Sequence, residues 1–319
     1  MPLKTDRRTF LKGSLLTPAA AALSLEAGTA AAQEAAVAGD GLPQGKIGDM
    51  AVSRVLLGGN LLTHYTHSRD LKYVYNLTAH YNTEEKIFET MALAEEHGVN
   101  TLVIHTAPGI MDTLKKYRRG QGGKMQWIVC PTAPVEPGLE EYTKQVHELV
   151  EDGTEAIYLW GVTGDRLAAE GKADLMAQAV DVVKEQGLPS GVGGHDIKVI
   201  QQCEENNVGA DFYIKTFHHH NYPSGPKPEE LTKPYNEFPG YWCQNPEETA
   251  DLMAGVEKPW IAFKVMAAGA IPPKDAFQYV FDNGADHILA GMFDFEIAED
   301  VKIAKEVLAN VTRTRPWRS

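Results

Sequence analysis

What most constrains this chain is an alternation that begins near residue 53: a short β-branched or apolar run, then a longer stretch with helical periodicity, repeated to the end. Strands are predicted near Val55–Gly58, Thr101–His105, Gln126–Cys130, Ala156–Trp160, Gly191–Gly194, Phe212–Thr216, Ile261–Val265 and His287–Ala290. Amphipathic segments such as NTEEKIFETMALAEEHG and DLMAQAVDVVKEQG lie between them. The first opens on Asn82 and Thr83, suited to capping a helix N-terminus, and closes on Gly98, suited to the left-handed turn that ends one. Parallel strands need long crossover connections, which helices usually supply. Eight such units in strict alternation imply an α/β fold of the (β/α)8 barrel type. A length of 319 residues would also allow two domains. The unbroken repeat favours one barrel domain over residues 46–319.

The start of the chain stands outside that pattern. DRRTFLKGSLL places Arg7 and Arg8 before an apolar stretch, and Ala-rich sequence follows to GTAAAQ. Twin arginines, an apolar middle and small residues at a cleavage point make a twin-arginine signal peptide over residues 1–32, cut near Ala32. A linker over residues 33–45 would follow. No cysteine lies near the cut to carry a lipid, so the mature chain is expected to leave the membrane and work in the periplasm or outside the cell. Cys130, Cys203 and Cys243 are too few and too scattered for a disulfide framework. A net charge of −13 argues against a nucleic-acid partner and favours a small-molecule one. The oligomeric state is not legible.

Two connections are longer than a compact barrel needs. Residues 60–81 follow the first strand and residues 217–245 the sixth. Both leave the C-terminal ends of strands, where barrel enzymes carry their sites, and loops of this length are usually functional. They hold His64, Tyr65, His67, Tyr73, Tyr75, Tyr222, Tyr235, Phe238, Tyr241 and Trp242. Flat rings beside hydrogen-bonding groups suit a sugar or another polyol. The same rings could equally pack the loops onto the barrel.

Side chains alternate along a strand between the helix layer and the barrel interior. With Leu102 and Ile104 facing the helices, His105 falls at the inner top. With Ile157 and Leu159 outward, Tyr158 and Trp160 point in. Val192 outward leaves His195 inward; Phe212 and Ile214 outward would leave Tyr213 and Lys215 inward; Ile261, Phe263 and Val265 outward would leave Ala262 and Lys264 inward. An interior ammonium must find a partner or lose its proton, so two interior lysines point to a site more than to packing.

Several stretches resemble a known family. GKIGDMAVSRVLLGGNLL is similar to the N-terminal hairpin and first strand of the aldo-keto reductases, GVNTLVIHTA to their second strand, and KEQGLPSGVGGHD to their fifth. GGNLLTHYTHSRDLKYV, KTFHHHNY, PWIAFKVMAAGAIPPKDAF and GMFDFEIAEDV resemble an exported, largely uncharacterised branch of that superfamily. The resemblance implies the barrel and leaves the activity open. It also implies a catalytic Asp, Tyr, Lys and His, and this chain departs from each. His105 stands at the Asp position, Pro108-Gly109-Ile110-Met111 where the Tyr is expected, Val129-Cys130 at the Lys, and Trp160-Gly161 at the His. The family's basic residues for the NADP 2′-phosphate are replaced by Asp294, Glu296, Glu299 and Asp300, which repel a phosphate. NADP is therefore not expected as a cofactor.

The chemistry that remains is acid/base or metal-assisted, of lyase or isomerase type, on a sugar or sugar-derived carbonyl compound. A divalent metal would take imidazoles from His105, His195 and one of the triplet His218, His219 and His220, with His218 and His219 the candidates and the inward one left open. Lys264, Lys215, His195 and His67 are the catalytic candidates; Asn60, Arg69, Asp70, Trp160, Tyr222 and Trp242 are the candidates for substrate contact. Three alternatives stand beside this reading: a Schiff-base aldolase on Lys264, a reductase with relocated residues, and a sugar-binding protein without turnover.

Overall fold

A computed structural model describes residues 41–319. The signal peptide and its cleavage point lie outside the described residues. The domain begins before residue 46: Leu42 is buried in the outer core, and strand β1 (Gln44–Ile47) pairs antiparallel with β2 (Met50–Ser53). Leu42 packs over Gly98. An apolar residue with such a seat does not stay in a linker, so the fold takes in Leu42 and the strand that follows it.

Eight parallel strands then close the barrel in the order β10-β3-β4-β5-β6-β7-β8-β9. They are β3 (Val55–Gly58), β4 (Thr101–His105), β5 (Gln126–Cys130), β6 (Ala156–Leu159), β7 (Ser190–Gly194), β8 (Phe212–Thr216), β9 (Trp260–Phe263) and β10 (His287–Ala290). Helices fill the intervals; the one at Glu84–Glu96 is capped by Thr83, whose hydroxyl accepts from the Lys86 amide. The chain thus has the (β/α)8 architecture that the alternation predicts.

Two packed layers explain which way each strand faces. The interior holds Leu56, Val103, Ile128, Ala156, Tyr158, Phe212, Ile214, Ile261 and Leu289, with Ile47 and Val52 of the hairpin packed beneath. The layer between strands and helices holds Val55, Leu57, Leu102, Ile104, Ile157, Leu159, Val192, Tyr213 and Ala262. The facing predicted for the second and fourth barrel strands holds. In β8 and β9 it is reversed. The cause is the glycine run of β7: a Cβ on Gly191 would strike the Phe212 ring. The space that Gly191 leaves is filled by Phe212, which turns Ile214 inward and sends Lys215 out.

Candidate active site

The mouth of the barrel, at the C-terminal ends of the strands, holds two neighbouring lobes. One, of about 320 Å³, is floored by Cys130 and Tyr158 and walled by His105, Thr132, Trp160, His195, Tyr235 and Glu237. The other, of about 260 Å³, runs between Trp242, the segment after β9 and the segment after β10. Asn60, Tyr65, His67, Phe263 and Lys264 border both.

Lys264 is the centre of the arrangement. It follows the last residue of β9 and takes a left-handed backbone conformation, φ 55°. Strand parity would have turned it the wrong way once Ala262 faced the helices. The positive φ turns its amine into the mouth instead, and strain of this kind gathers at functional sites. The amine lies 3.2 Å from His195 Nε2. It also sits 5.3 Å from the Trp242 ring and 5.4 Å from that of Phe263. Burial lowers its pKa to about 7, against the opposing pull of the Glu237 and Asp165 carboxylates.

His195, just past β7, is held by Asp165. One Asp165 oxygen accepts from the His195 and Asp196 amides at 2.7 and 2.9 Å; the other accepts from His195 Nδ1 at 2.7 Å. That bond puts the proton on Nδ1 and leaves the Nε2 lone pair facing Lys264. Burial pushes the imidazole down to about 4, the Lys264 charge adds to this, and Asp165 resists it. At neutral pH the ring is uncharged. The helix Gly161–Ala169 carries Asp165 close enough because Gly164 has no side chain: a Cβ there would strike the Gly193 carbonyl. Tyr235 covers the other face of His195, with ring centroids 4.4 Å apart.

A second imidazole–carboxylate pair borders the same amine. His67 Nδ1 donates to Glu237 Oε1 at 2.9 Å, and Asn60 Nδ2 lies 3.3 Å from Nε2. The pair joins the two long loops, one after β3 and one after β8. Burial lowers the His67 pKa, with Glu237 opposing. Burial pushes the Glu237 carboxyl up, but the bond from His67 and the nearby charge of Lys264 outweigh it and leave it below its ordinary value.

The sequence candidates divide sharply. Lys264, His195, His67, Asn60 and Trp160 meet at the first lobe, and Trp242 walls the second. Lys215 does not join them. It faces the outer layer, where its amine donates to the Thr216 carbonyl at 2.8 Å and approaches Cys243 Sγ at 3.9 Å. Arg69 and Asp70 are exposed and line neither lobe. Tyr222 braces the long loop, its hydroxyl donating to the Gly240 carbonyl at 2.7 Å.

The metal set fails as geometry. Among the described residues no three His, Cys, Asp or Glu side chains come together to hold an ion. His218 is fully buried with both nitrogens engaged: Nδ1 with the His219 carbonyl at 2.8 Å, Nε2 with the Trp242 amide at 3.0 Å. His219 accepts from the Asn221 amide at 3.1 Å and packs on Tyr279. His105 and His195 both line the first lobe, but His218 and His219 do not. His218 and His219 pin the long loop, so the four imidazoles do not come together as a ligand set.

Sequence reasoning does not reach Asp165, Tyr235 and Glu237 as members of the site. Asp165 carries a faint signal, an acid on the buried side of its helix beside Gly164 and Leu167. Tyr235 reads only as one ring of a rich loop, and nothing local marks Glu237.

Comparisons with known proteins agree with this architecture. Residues 4–24 match the twin-arginine translocation pathway signal sequence, so the chain is exported, to the periplasm or beyond. The barrel is similar to an aldo-keto reductase from Pseudomonas aeruginosa, with TM-score 0.55, 18% identity, and coverage of 83% of this chain and 94% of that one. The likeness is to the (β/α)8 barrel fold. The holo form of such a reductase from Bacillus halodurans superposes with TM-score 0.56 at 12% identity, covering 86% of this chain and 98% of that one. A truncated 3-deoxy-D-arabino-heptulosonate 7-phosphate synthase from Thermotoga maritima reaches TM-score 0.52 at 11% identity, covering 86% and 96%. No curated protein matches by sequence. The phosphate-bearing cofactor implied by the reductase fold does not suit the residues after β10: Glu296 and Asp300 line that lobe, with Lys264 its only lysine and no arginine.

Proposed function

We propose that the chain is an exported barrel enzyme acting on a sugar-derived carbonyl compound by proton transfer of the lyase or isomerase type, with Lys264 as the reactive amine. The observation that carries this reading is the Asp165–His195–Lys264 series at the wall of the first lobe. A group that titrates near the working pH serves both as acid and as base, and Lys264 is held there. A carbonyl substrate would rest on Tyr65, Trp160 and Tyr235, with Lys264 moving a proton at the carbon beside the carbonyl and His195 Nε2 accepting it in turn. His195 would keep its orientation through Asp165, and His67 with Glu237 would face a substrate hydroxyl.

The test is exchange of solvent deuterium into the carbon next to the carbonyl of dihydroxyacetone, glycolaldehyde or an open-chain ketose, followed by proton NMR. Exchange in the wild type that is lost in Lys264→Ala and His195→Ala is expected. A wild type with no exchange on any of them would overturn the proposal.

One feature favours a covalent version. The rings of Trp242 and Phe263 surround the amine, and an amine made neutral by apolar surroundings is a nucleophile. The Nζ lone pair would attack the carbonyl carbon as the π pair moves to oxygen. His195 Nε2 would relay the amine proton to that oxygen, and loss of water would leave an imine. Borohydride reduction should then leave a permanent adduct, seen by intact mass and absent from Lys264→Ala; no adduct would leave Lys264 a proton carrier only.

A further inference from the structure

The second lobe shares Lys264 with the chemistry above, but its far wall has no part in that chemistry and carries two acids, Glu296 and Asp300. Glu296 and Asp300 stand four residues apart on the helix Asp294–Asn310, hence on one face, and both line the lobe. Glu296 is engaged, accepting from the Phe293 amide at 2.9 Å. Asp300 is not. Only 6% of it is exposed, and no hydrogen bond or ion pair reaches its carboxylate from any described residue. Burial holds its carboxyl up at about 6, and the neighbouring Glu296 and Glu299 add to this. The remaining walls are mostly apolar: Leu61, Val265, Met266, Ile271, Ala290 and Phe293. The Asp300 oxygens open onto the lobe, and a carboxylate in mostly apolar surroundings with no donor from the protein favours a donor or a cation there.

We propose that the second lobe is a subsite for an ammonium group on the same ligand whose carbonyl reaches Lys264, so that the substrate class is an amino-bearing sugar or amino-carbonyl compound. The two lobes share Lys264, His67 and Asn60 as common walls, so one ligand can occupy both. An ammonium there gives Asp300 the charged hydrogen bond it lacks, and the apolar walls strengthen that bond by excluding water. The same two carboxylates repel a phosphate or carboxylate, which sets specificity by exclusion as well as by attraction. The substrate assignment rests on the proposed function; the ammonium subsite itself does not need Lys264 to react.

Equilibrium binding of D-glucosamine and D-glucose, measured by calorimetry on the mature exported protein, tests this directly. Wild type should bind glucosamine about tenfold or more tightly than glucose, the size of one hydrogen bond to a charged group. Asp300→Asn should lose that preference and keep its glucose affinity; Asn is uncharged and close in shape, so the variant is expected to fold. Lys264→Ala should keep the preference. Equal binding of the two sugars by wild type, or a preference that survives Asp300→Asn, overturns the subsite. Because this readout is binding alone, it can succeed or fail independently of deuterium exchange and borohydride trapping.

Discussion

Replacing Lys264 by Met should make the protein more stable while abolishing its chemistry. Lowering the amine from 10.5 to about 7, at about 1.4 kcal/mol per pH unit, costs on the order of 4–5 kcal/mol at neutral pH. Water entering the open mouth reduces this, and the lost contact with His195 subtracts about 1 kcal/mol more. A net gain of about 3 kcal/mol remains. At roughly 2–4 °C per kcal/mol for a chain of this size, Lys264→Met should melt some 6–12 °C above wild type at pH 7 by differential scanning calorimetry. Between pH 7 and 10.5 the folded amine is neutral while the unfolded chain still binds a proton, so wild-type stability rises with pH. The variant has no such group, and the gap should narrow through that window and stay constant below it. A variant that melts at or below wild type, with no narrowing, would refute the argument. Lys264 would then be an ammonium held by Glu237 and Asp165.

Asp165→Asn should slow deuterium exchange by about 10²-fold or more with the fold retained by circular dichroism, because the ring of His195 loses the acceptor that fixes its proton on Nδ1. A rate within a factor of three of wild type would remove Asp165 from the machinery. His218→Ala should lower stability by about 1–3 kcal/mol through the unpaired Trp242 amide. Its metal content by mass spectrometry should equal that of wild type, whereas a stoichiometric metal lost with His218 would restore the ligand reading.

How far the site can be read from sequence depends on how local each cause is. His195, His67 and Asn60 are legible because they sit at strand ends or in a long loop after one, where barrels keep their chemistry, whereas Lys264 reaches the mouth by its positive φ and not by the parity that predicted it. Lys215 is misplaced when parity is counted from the apolar residues of β8 alone. The deciding fact lies on the neighbouring strand, where Gly191 makes room for Phe212. The histidine triplet misleads for a related reason. Imidazoles are good ligands, but His218 spends both nitrogens on backbone groups that only the folded loop brings near.

Periodicity is a property of the chain itself, and it determined the (β/α)8 barrel, the strand positions and the two long loops without reference to any contact. The twin arginines determined export in the same local way. The tertiary structure decided what no window of sequence contains: the bond between Asp165 and His195, thirty residues apart, and that between His67 and Glu237, one hundred and seventy apart. It also turned Lys264 inward through a single backbone angle after the strand had ended. A site made of such meetings depends on which faces the barrel closes together, and that is settled by packing.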